Sequence, residues 1–254
     1  MALLSRRWHN VRGAFAFWKS SAVAAFNPAT LSLTAWFRDA TVSPWAPTAS
    51  AGASGTNGSL TDATSPTAGT ALNGHNGAIF NGTTQKLTGS TNFSALTSAA
   101  AWSISVLVNP AASAVAHSVN ATYADPSILI DDTNGFGPMI SFTASGFTVA
   151  HYDGASWKEK SVAYTGGTSA ALVQCWYDGT NINIQLNSAA AGTVAAGNLS
   201  AAGATDKLRL GANYNAAVFT PCTIYDVLMS NTDLGSTARA NIKSYVNARY
   251  ALSL

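Results

Sequence analysis

The segment ALVQCWYDGTNINIQLNS, residues 171–188, limits the possible folds more than any other stretch of the chain. Its first arm, Ala171–Tyr177, is apolar and aromatic. The second, Asn181–Leu186, alternates strictly: Asn181, Asn183 and Gln185 fall on one face, Ile182, Ile184 and Leu186 on the other, the pattern of a strand with one buried side. Asp178-Gly179 between the arms is a hairpin signal, because glycine accepts the positive φ of a tight turn. After a polar Ala/Gly loop come KLRLGANYN and CTIYDVLMSN, which read as closing strands, and then a helix. Asp233 or Ser236 can cap that helix, and Ala238, Ile242, Tyr245, Val246 and Tyr250 recur at helical spacing. Lys243 and Arg249 lie in its C-terminal half, where the helix dipole favours cations.

Upstream, residues 31–37 alternate and read as a first strand. From residue 39 to about 77 the chain is dense in Ser, Thr, Gly, Ala, Asn and Pro; it reads as a loop that Trp45 and Leu72 can pin to the body. Residues 78–80 enter a turn at Asn81-Gly82, and Lys86-Leu87 begins the return. Residues 102–109 form a strand with Trp102, Ile104, Val106 and Val108 on one face. Shorter strands are expected at 127–130, 139–143, 146–152 and 158–164, divided by Gly, Asn and Asp. Strands at this spacing without intervening helices indicate a sandwich or jelly roll, and no fixed-period repeat interrupts them.

Residues 1–30 differ from the rest. Leu4, Trp8, Val11, Phe15 and Trp18, followed by Ala22 and Phe26, keep steps of three and four and so share a helical face. Gly13 weakens that helix by roughly 1 kcal/mol relative to alanine. The arm carries four basic residues and no acidic one, which leaves nine basic against eleven acidic residues in the remainder. Its apolar stripe can pack on its own body, dock into a partner or a symmetric neighbour, or lie on a membrane surface. Two tryptophans left bare would invite aggregation, so a cover is expected.

Charged residues make up only 9% of the 254, against roughly 25% in an average globular protein. Small neutral residues fill the gap, which suits short strands, neutral turns and a surface buried in an assembly, where charges would need desolvation. There is no run of eighteen apolar residues, and Arg12 and Lys19 break up the amino-terminal stretch. Neither a membrane-spanning helix nor a signal peptide is therefore expected. Cys175 and Cys222 lie in strands that can be neighbours; two buried free thiols are expected, with a disulfide as the alternative.

Several of these segments together resemble the concanavalin A-like lectin/glucanase superfamily, most closely its laminin-G-like jelly rolls. LSLTAWFRDA resembles that family's opening strand, and Trp45 its next tryptophan, without the aspartate that often follows. Ala78 through Leu87, Trp102 through Val106, and Val173 through Leu186 resemble the strand-turn, strand and hairpin segments that come next. Leu208-Arg209-Leu210-Gly211, Ile224 through Met229 and the closing Tyr245 with Arg249-Tyr250 complete the order. The resemblance covers residues 31–254 and implies an all-β antiparallel sandwich of concanavalin A-like jelly-roll type. The arm of residues 1–30 has no counterpart in it.

Some members of that superfamily are glycoside hydrolases with paired glutamates. This chain has one glutamate, Glu159, and its only adjacent acidic pair, Asp131-Asp132, would point to opposite faces of a strand. No GxSxG, phosphate-binding glycine loop or dinucleotide fingerprint is present, and His151 reads as a structural residue, so no enzyme is expected. The family likeness makes calcium conceivable at Asp131, Asp132 and Asn134, although DDTN is more often simply a turn. No other cofactor is expected. For a glycan, the aromatics in or beside loops are the candidates: Trp45, Tyr123, Tyr152, Trp157 and Tyr214.

A recognition fold without a secretion signal points to a virion protein, made in the host cytoplasm and displayed outside. The leading expectation is a non-enzymatic bacteriophage structural protein: residues 1–30 would anchor it to capsid or tail, and 31–254 would be displayed. Its partners would be other virion proteins or copies of itself. The alternative is a glycan-binding receptor-recognition module or surface adhesin. Neither a specific nucleic-acid contact nor membrane insertion is expected.

Overall fold

The computed structural model describes residues 26–41, 44–48, 59–90, 101–111, 125–131, 137–144, 146–167, 169–200, 207–213 and 215–254. The stripe of Leu4, Trp8, Val11, Phe15 and Trp18 lies outside them. In chain order the strands are β1 (Ala35–Arg38), β2 (Leu60–Thr61), β3 (Thr67–Leu72), β4 (His75–Asn81), β5 (Leu87–Gly89), β6 (Trp102–Pro110), β7 (Ser127–Asp131) and β8 (Met139–Thr143). There follow β9 (Gly146–Tyr152), β10 (Trp157–Val162), β11 (Ala171–Tyr177), β12 (Asn181–Leu186), β13 (Gly192–Ala195), β14 (Leu208–Leu210) and β15 (Pro221–Ser230), then helix α1 (Gly235–Tyr250).

They build three layers. An eight-stranded sheet runs β13-β12-β11-β6-β15-β4-β3, with β1 also paired to β15; a seven-stranded sheet runs β10-β9-β8-β7-β14-β5-β2; every pairing is antiparallel. Alternation fills the space between the sheets. Trp102, Ile104, Val106 and Val108 of β6 and Ile182 and Ile184 of β12 meet Leu129, Ile140, Phe147 and Leu208 from the opposite sheet. Burying each such side chain contributes about 1.5–3 kcal/mol. The residues between them on β6 and β15 face the other way: Leu107, Tyr225 and Leu228 form a second core with Trp36, Leu172 and the Ile242, Tyr245, Val246 and Tyr250 face of α1. Thus both faces of the eight-stranded sheet are covered, which is why β11 reads as a nearly continuous apolar run.

One irregularity decides what lies under the helix. Strand β15 pairs with β6 on one side; on the other it pairs first with β4 and then with β1. Where the partner changes, the register against β6 shifts between Ile224 and Asp226. The extra residue at this bulge reverses the alternation. Ile224 and Val227 therefore both face the inter-sheet core, while Tyr225 and Asp226 are both fully buried and turned toward α1.

The hairpin of β11 and β12 has the bounds expected from its sequence, and Gly179 has φ +95°. Asp178 tightens that turn by accepting from Thr180 N at 2.9 Å and Asn181 N at 2.7 Å. Other expectations need correction. The first strand starts later, at Ala35: a 3-10 turn at residues 28–30 capped by Asn27 is followed by local hydrogen bonds from Leu31 N to the Pro28 carbonyl and from Leu33 N to the Leu31 carbonyl, both 2.9 Å, that keep residues 31–33 out of the ladder. The stretch from 39 to 77 is not all loop: Thr67–Leu72 pairs with β4, small residues serving where the strand runs beside a hairpin partner. The segment after Asn81-Gly82 does not return beside β4; Leu87–Gly89 crosses to the seven-stranded sheet and pairs with β14 and β2. Helix α1 has Leu234 at its N-cap position and so no side-chain cap there, yet Asp233 accepts from Gly235 N at 2.9 Å, whereas Ser236 caps nothing. Cys175 and Cys222 are free and buried on β11 and β15, with β6 between them, so they are not adjacent.

Candidate functional site

Between α1, β1 and the β3–β4 turn lies a groove of about 800 Å³. Tyr245 lies at its base, and Phe26 also lines it. Asn241, Ser244 and Arg249 come from α1, Arg38 from β1, and Asn73 and His75 from the β3–β4 hairpin. The hairpin turn is built to reach the helix: Asn73 (φ +48°) and Gly74 (φ +82°) are both left-handed, and Asn73 Nδ2 donates to the Arg249 carbonyl at 2.8 Å.

An ionic cluster forms the rim. Asp39 Oδ2 accepts from Arg249, and Asp39 Oδ1 lies 2.9 Å from His75 Nδ1. The same ring nitrogen is 3.0 Å from Arg249 Nη2; it can donate to the carboxylate or accept from the guanidinium, not both at once. Partial burial opposes ionisation of Asp39, but the Arg249 charge and the hydrogen bonds from His75 and Arg249 outweigh it and hold the carboxyl below the usual carboxylate range. Arg38 stacks 4.3 Å over the Trp36 ring, and its closest approach to Asp39 is 3.9 Å, longer than a hydrogen bond.

Beneath Tyr245 sits Asp226. Trp36 Nε1 donates to its Oδ1 at 2.8 Å; Tyr245 Oη and Tyr250 Oη donate to Oδ2 at 3.0 and 3.3 Å. Burial pushes its carboxyl up to about 7 against the opposing pull of the Trp36 and Tyr245 hydrogen bonds. The groove therefore has a rigid floor tied to the second core. A smaller cleft of about 320 Å³ lies beyond α1, where Arg239 stacks 3.8 Å over Trp176. There Gln174 Nε2 donates to the Arg239 carbonyl at 3.1 Å and Arg239 pairs with Asp233 at 2.5 Å, so its polar groups already serve the fold.

Of the aromatic residues expected to bind a glycan, the three that are described, Trp45, Tyr152 and Trp157, do not line this groove. Trp45 is 1% exposed; its Nε1 donates to the Arg38 carbonyl at 3.0 Å and its ring packs edge-on against Phe37, so it anchors the core. Trp157 is also buried, because β10 starts at that residue and packs it on Met139 and Ala150. Tyr152, half-buried, stands 5.7 Å from it on the adjacent strand. Tyr123 and Tyr214 lie outside the described residues. So do Asp132 and Asn134; Asp131 ends β7, and among the described residues no group of three potential metal ligands is found. The Asp153 carboxylate is engaged in its own turn, where backbone hydrogen bonds from Ser156 and Ala155, and then Lys158, pull its pKa down to about 2. His151 is buried in the core with Nε2 on the Ser200 carbonyl at 3.1 Å, and burial lowers its pKa to about 4, as a structural residue would have it.

No protein-family model matches the chain, nor does any curated protein. Solved structures do. The botulinum neurotoxin serotype G binding domain is 13% identical, with a TM-score of 0.61 over 83% of this chain and 50% of that one. A structure concerning cell entry of botulinum neurotoxin type C through two ganglioside molecules is 12% identical, with a TM-score of 0.60 over 83% of this chain and 50% of that one. The binding domain of botulinum neurotoxin DC in complex with SialylT is 12% identical, with a TM-score of 0.58 over 86% of this chain and 52% of that one. The chain thus spans about half the length of these receptor-binding domains. At such identities the likeness establishes the fold, an antiparallel β-sandwich of the kind those domains contain.

Proposed function

We propose that this chain is a non-enzymatic binding module and that the groove beside α1 takes a glycan. The observation that carries the reading is the mixture of surfaces in one concavity. Half-buried Phe26 offers ring surface to the apolar face of a sugar, and amide, hydroxyl and guanidinium groups surround it. The Asn241 side chain is half-buried in the groove and has no hydrogen-bond partner among the described residues, so its donor and acceptor stay open to a ligand. The Asp39–His75 pair favours binding over hydrolysis: among the described residues no Ser, Thr or Cys side chain hydrogen-bonds to the His75 ring. Receptor-binding domains of the same fold, two of them associated with a ganglioside or SialylT, support the reading.

Against a panel of immobilised glycans, the full chain should show saturable binding. Asn241→Ala should weaken it by about tenfold, the loss of roughly 1.4 kcal/mol in ligand hydrogen bonding. Undiminished binding by this variant would remove the groove as the site.

As its setting we propose a bacteriophage particle, with residues 1–30 as anchoring arm and 31–254 as a displayed jelly roll of concanavalin A-like type. The scarcity of charge and the basic, amphipathic arm support it. Phe26 and Ala29 pack on the second core, so the truncation that tests the arm starts at residue 26. Light scattering should give a defined oligomer for the full chain and a folded monomer for residues 26–254. Monomers in both cases would count against an assembly role.

A further inference from the structure

We infer that the glycan taken by the groove is anionic, its carboxylate or sulfate met by Arg38; this rests on the glycan reading above. The argument is one of charge and of occupied hydrogen-bonding positions. Two guanidiniums, Arg38 and Arg249, and the His75 imidazole line the groove, and a single rim carboxylate, Asp39, serves all three. Both of its oxygens are engaged, Oδ1 by His75 and Oδ2 by Arg249. Arg38 is left at 3.9 Å, without a carboxylate at hydrogen-bond distance. It stacks on Trp36 at 4.3 Å and lies within reach of the Tyr245 hydroxyl, contacts that fix the plane of the guanidinium. A guanidinium has five N–H donors in a rigid fork, so several remain for a ligand, and their geometry fits a two-oxygen anion.

Among the described residues no other acid offsets this charge from below. Asp226, the acid behind Tyr245, is fully buried and its oxygens accept from Trp36, Tyr245 and Tyr250. Because burial raises its pKa to about 7, it carries only part of a charge at neutral pH. The negative end of α1 is blunted as well: the Arg249 carbonyl is capped by Asn73, and Arg249 itself lies in the last turn. At its rim the groove thus sets two guanidiniums, Arg38 and Arg249, against one carboxylate, Asp39, beside an open amide and the Phe26 ring. A neutral sugar would cover this excess positive charge without balancing it, whereas an acidic sugar would balance it.

The test titrates the full chain calorimetrically with sialyllactose, its carboxyl methyl ester, lactose and sulfated lactose. The two acidic ligands should bind at least about tenfold tighter than the ester and lactose at low salt, and the gap should shrink as salt is raised to about 0.5 M. Arg38→Gln should abolish the gap, and Arg38→Lys should restore part of it, which separates charge from misfolding. Whichever acidic ligand binds tighter tells carboxylate from sulfate. Equal binding of acid and ester, or a gap that survives in Arg38→Gln, overturns the anionic assignment while leaving glycan binding intact. Binding of no saccharide in either charge state overturns both.

Discussion

Asp226→Asn should make the protein acid-labile between pH 6.5 and 4.5, a range over which the wild-type chain should change little in stability. Two buried groups with opposite linkage set this outcome. The folded-state pKa of Asp226 is raised from 3.8 to about 7, so between these values the native state holds the extra proton and stability falls as pH rises. The folded-state pKa of His151 is lowered from 6.5 to about 4 by burial, so the unfolded state holds the extra proton and stability falls as pH drops from 6.5 toward 4. Across pH 4.5–6.5 the two slopes nearly cancel. Removing the carboxyl leaves the histidine unopposed, which amounts to about 2–3 kcal/mol over two pH units. Removing the imidazole, as in His151→Phe, should produce the reverse slope. The depressed carboxyls of Asp39, Asp62 and Asp178 do not enter, since the stability they contribute is lost only below about pH 4. Urea unfolding at pH 4.5, 5.5 and 6.5 would measure all three proteins. Parallel pH profiles for wild type and Asp226→Asn would show that Asp226 does not hold its proton as described.

Gly211→Ala should leave little folded protein, while Gly74→Ala should cost only about 1 kcal/mol. Both glycines have positive φ, +78° and +82°, so both substitutions strain the backbone alike. The difference is space. A Cβ at Gly211 would lie 2.2 Å from Phe80 Cδ1 and 2.6 Å from Cε1, against a ring that is 2% exposed and cannot swing aside. At Gly74 nothing lies within 4 Å. Overpacking of a closed core together with left-handed strain exceeds about 4 kcal/mol, a large part of a domain's whole stability. Soluble yield and thermal unfolding of the two variants provide the comparison. Similar midpoints would mean that the Phe80–Gly211 contact is loose.

How far the sequence could be read follows from the range of its interactions. The β11–β12 hairpin, the inward face of β6, and strands β8 and β9 were legible because alternation and turn residues are local signals. The small-residue strand Thr67–Leu72 gave no such signal, since its pairing depends on β4 rather than on its own side chains. Whether Leu87–Gly89 folds back or crosses to the other sheet is likewise decided by a distant partner, β14. The candidate site was harder still. Asp39, His75 and Arg249 are brought together by the docking of the C-terminal helix on β1 and the β3–β4 turn, and no spacing in the chain announces it. One signal did exist: Asp226 sits in the middle of the apolar run CTIYDVLMS, where a carboxylate must either face water or be enclosed by donors. Loop aromatics misled for the opposite reason. Trp45 and Trp157 lie near turns in sequence, yet large rings stabilise most when enclosed, and both are.

The most direct test is a crystal structure of the full chain soaked with the tightest-binding saccharide from the glycan panel. Sugar density between α1 and the Asn73–His75 turn, within hydrogen-bond distance of Asn241 and Arg38, is the predicted result. Density on the seven-stranded sheet near Tyr152, or at any place that leaves the groove empty, would contradict it.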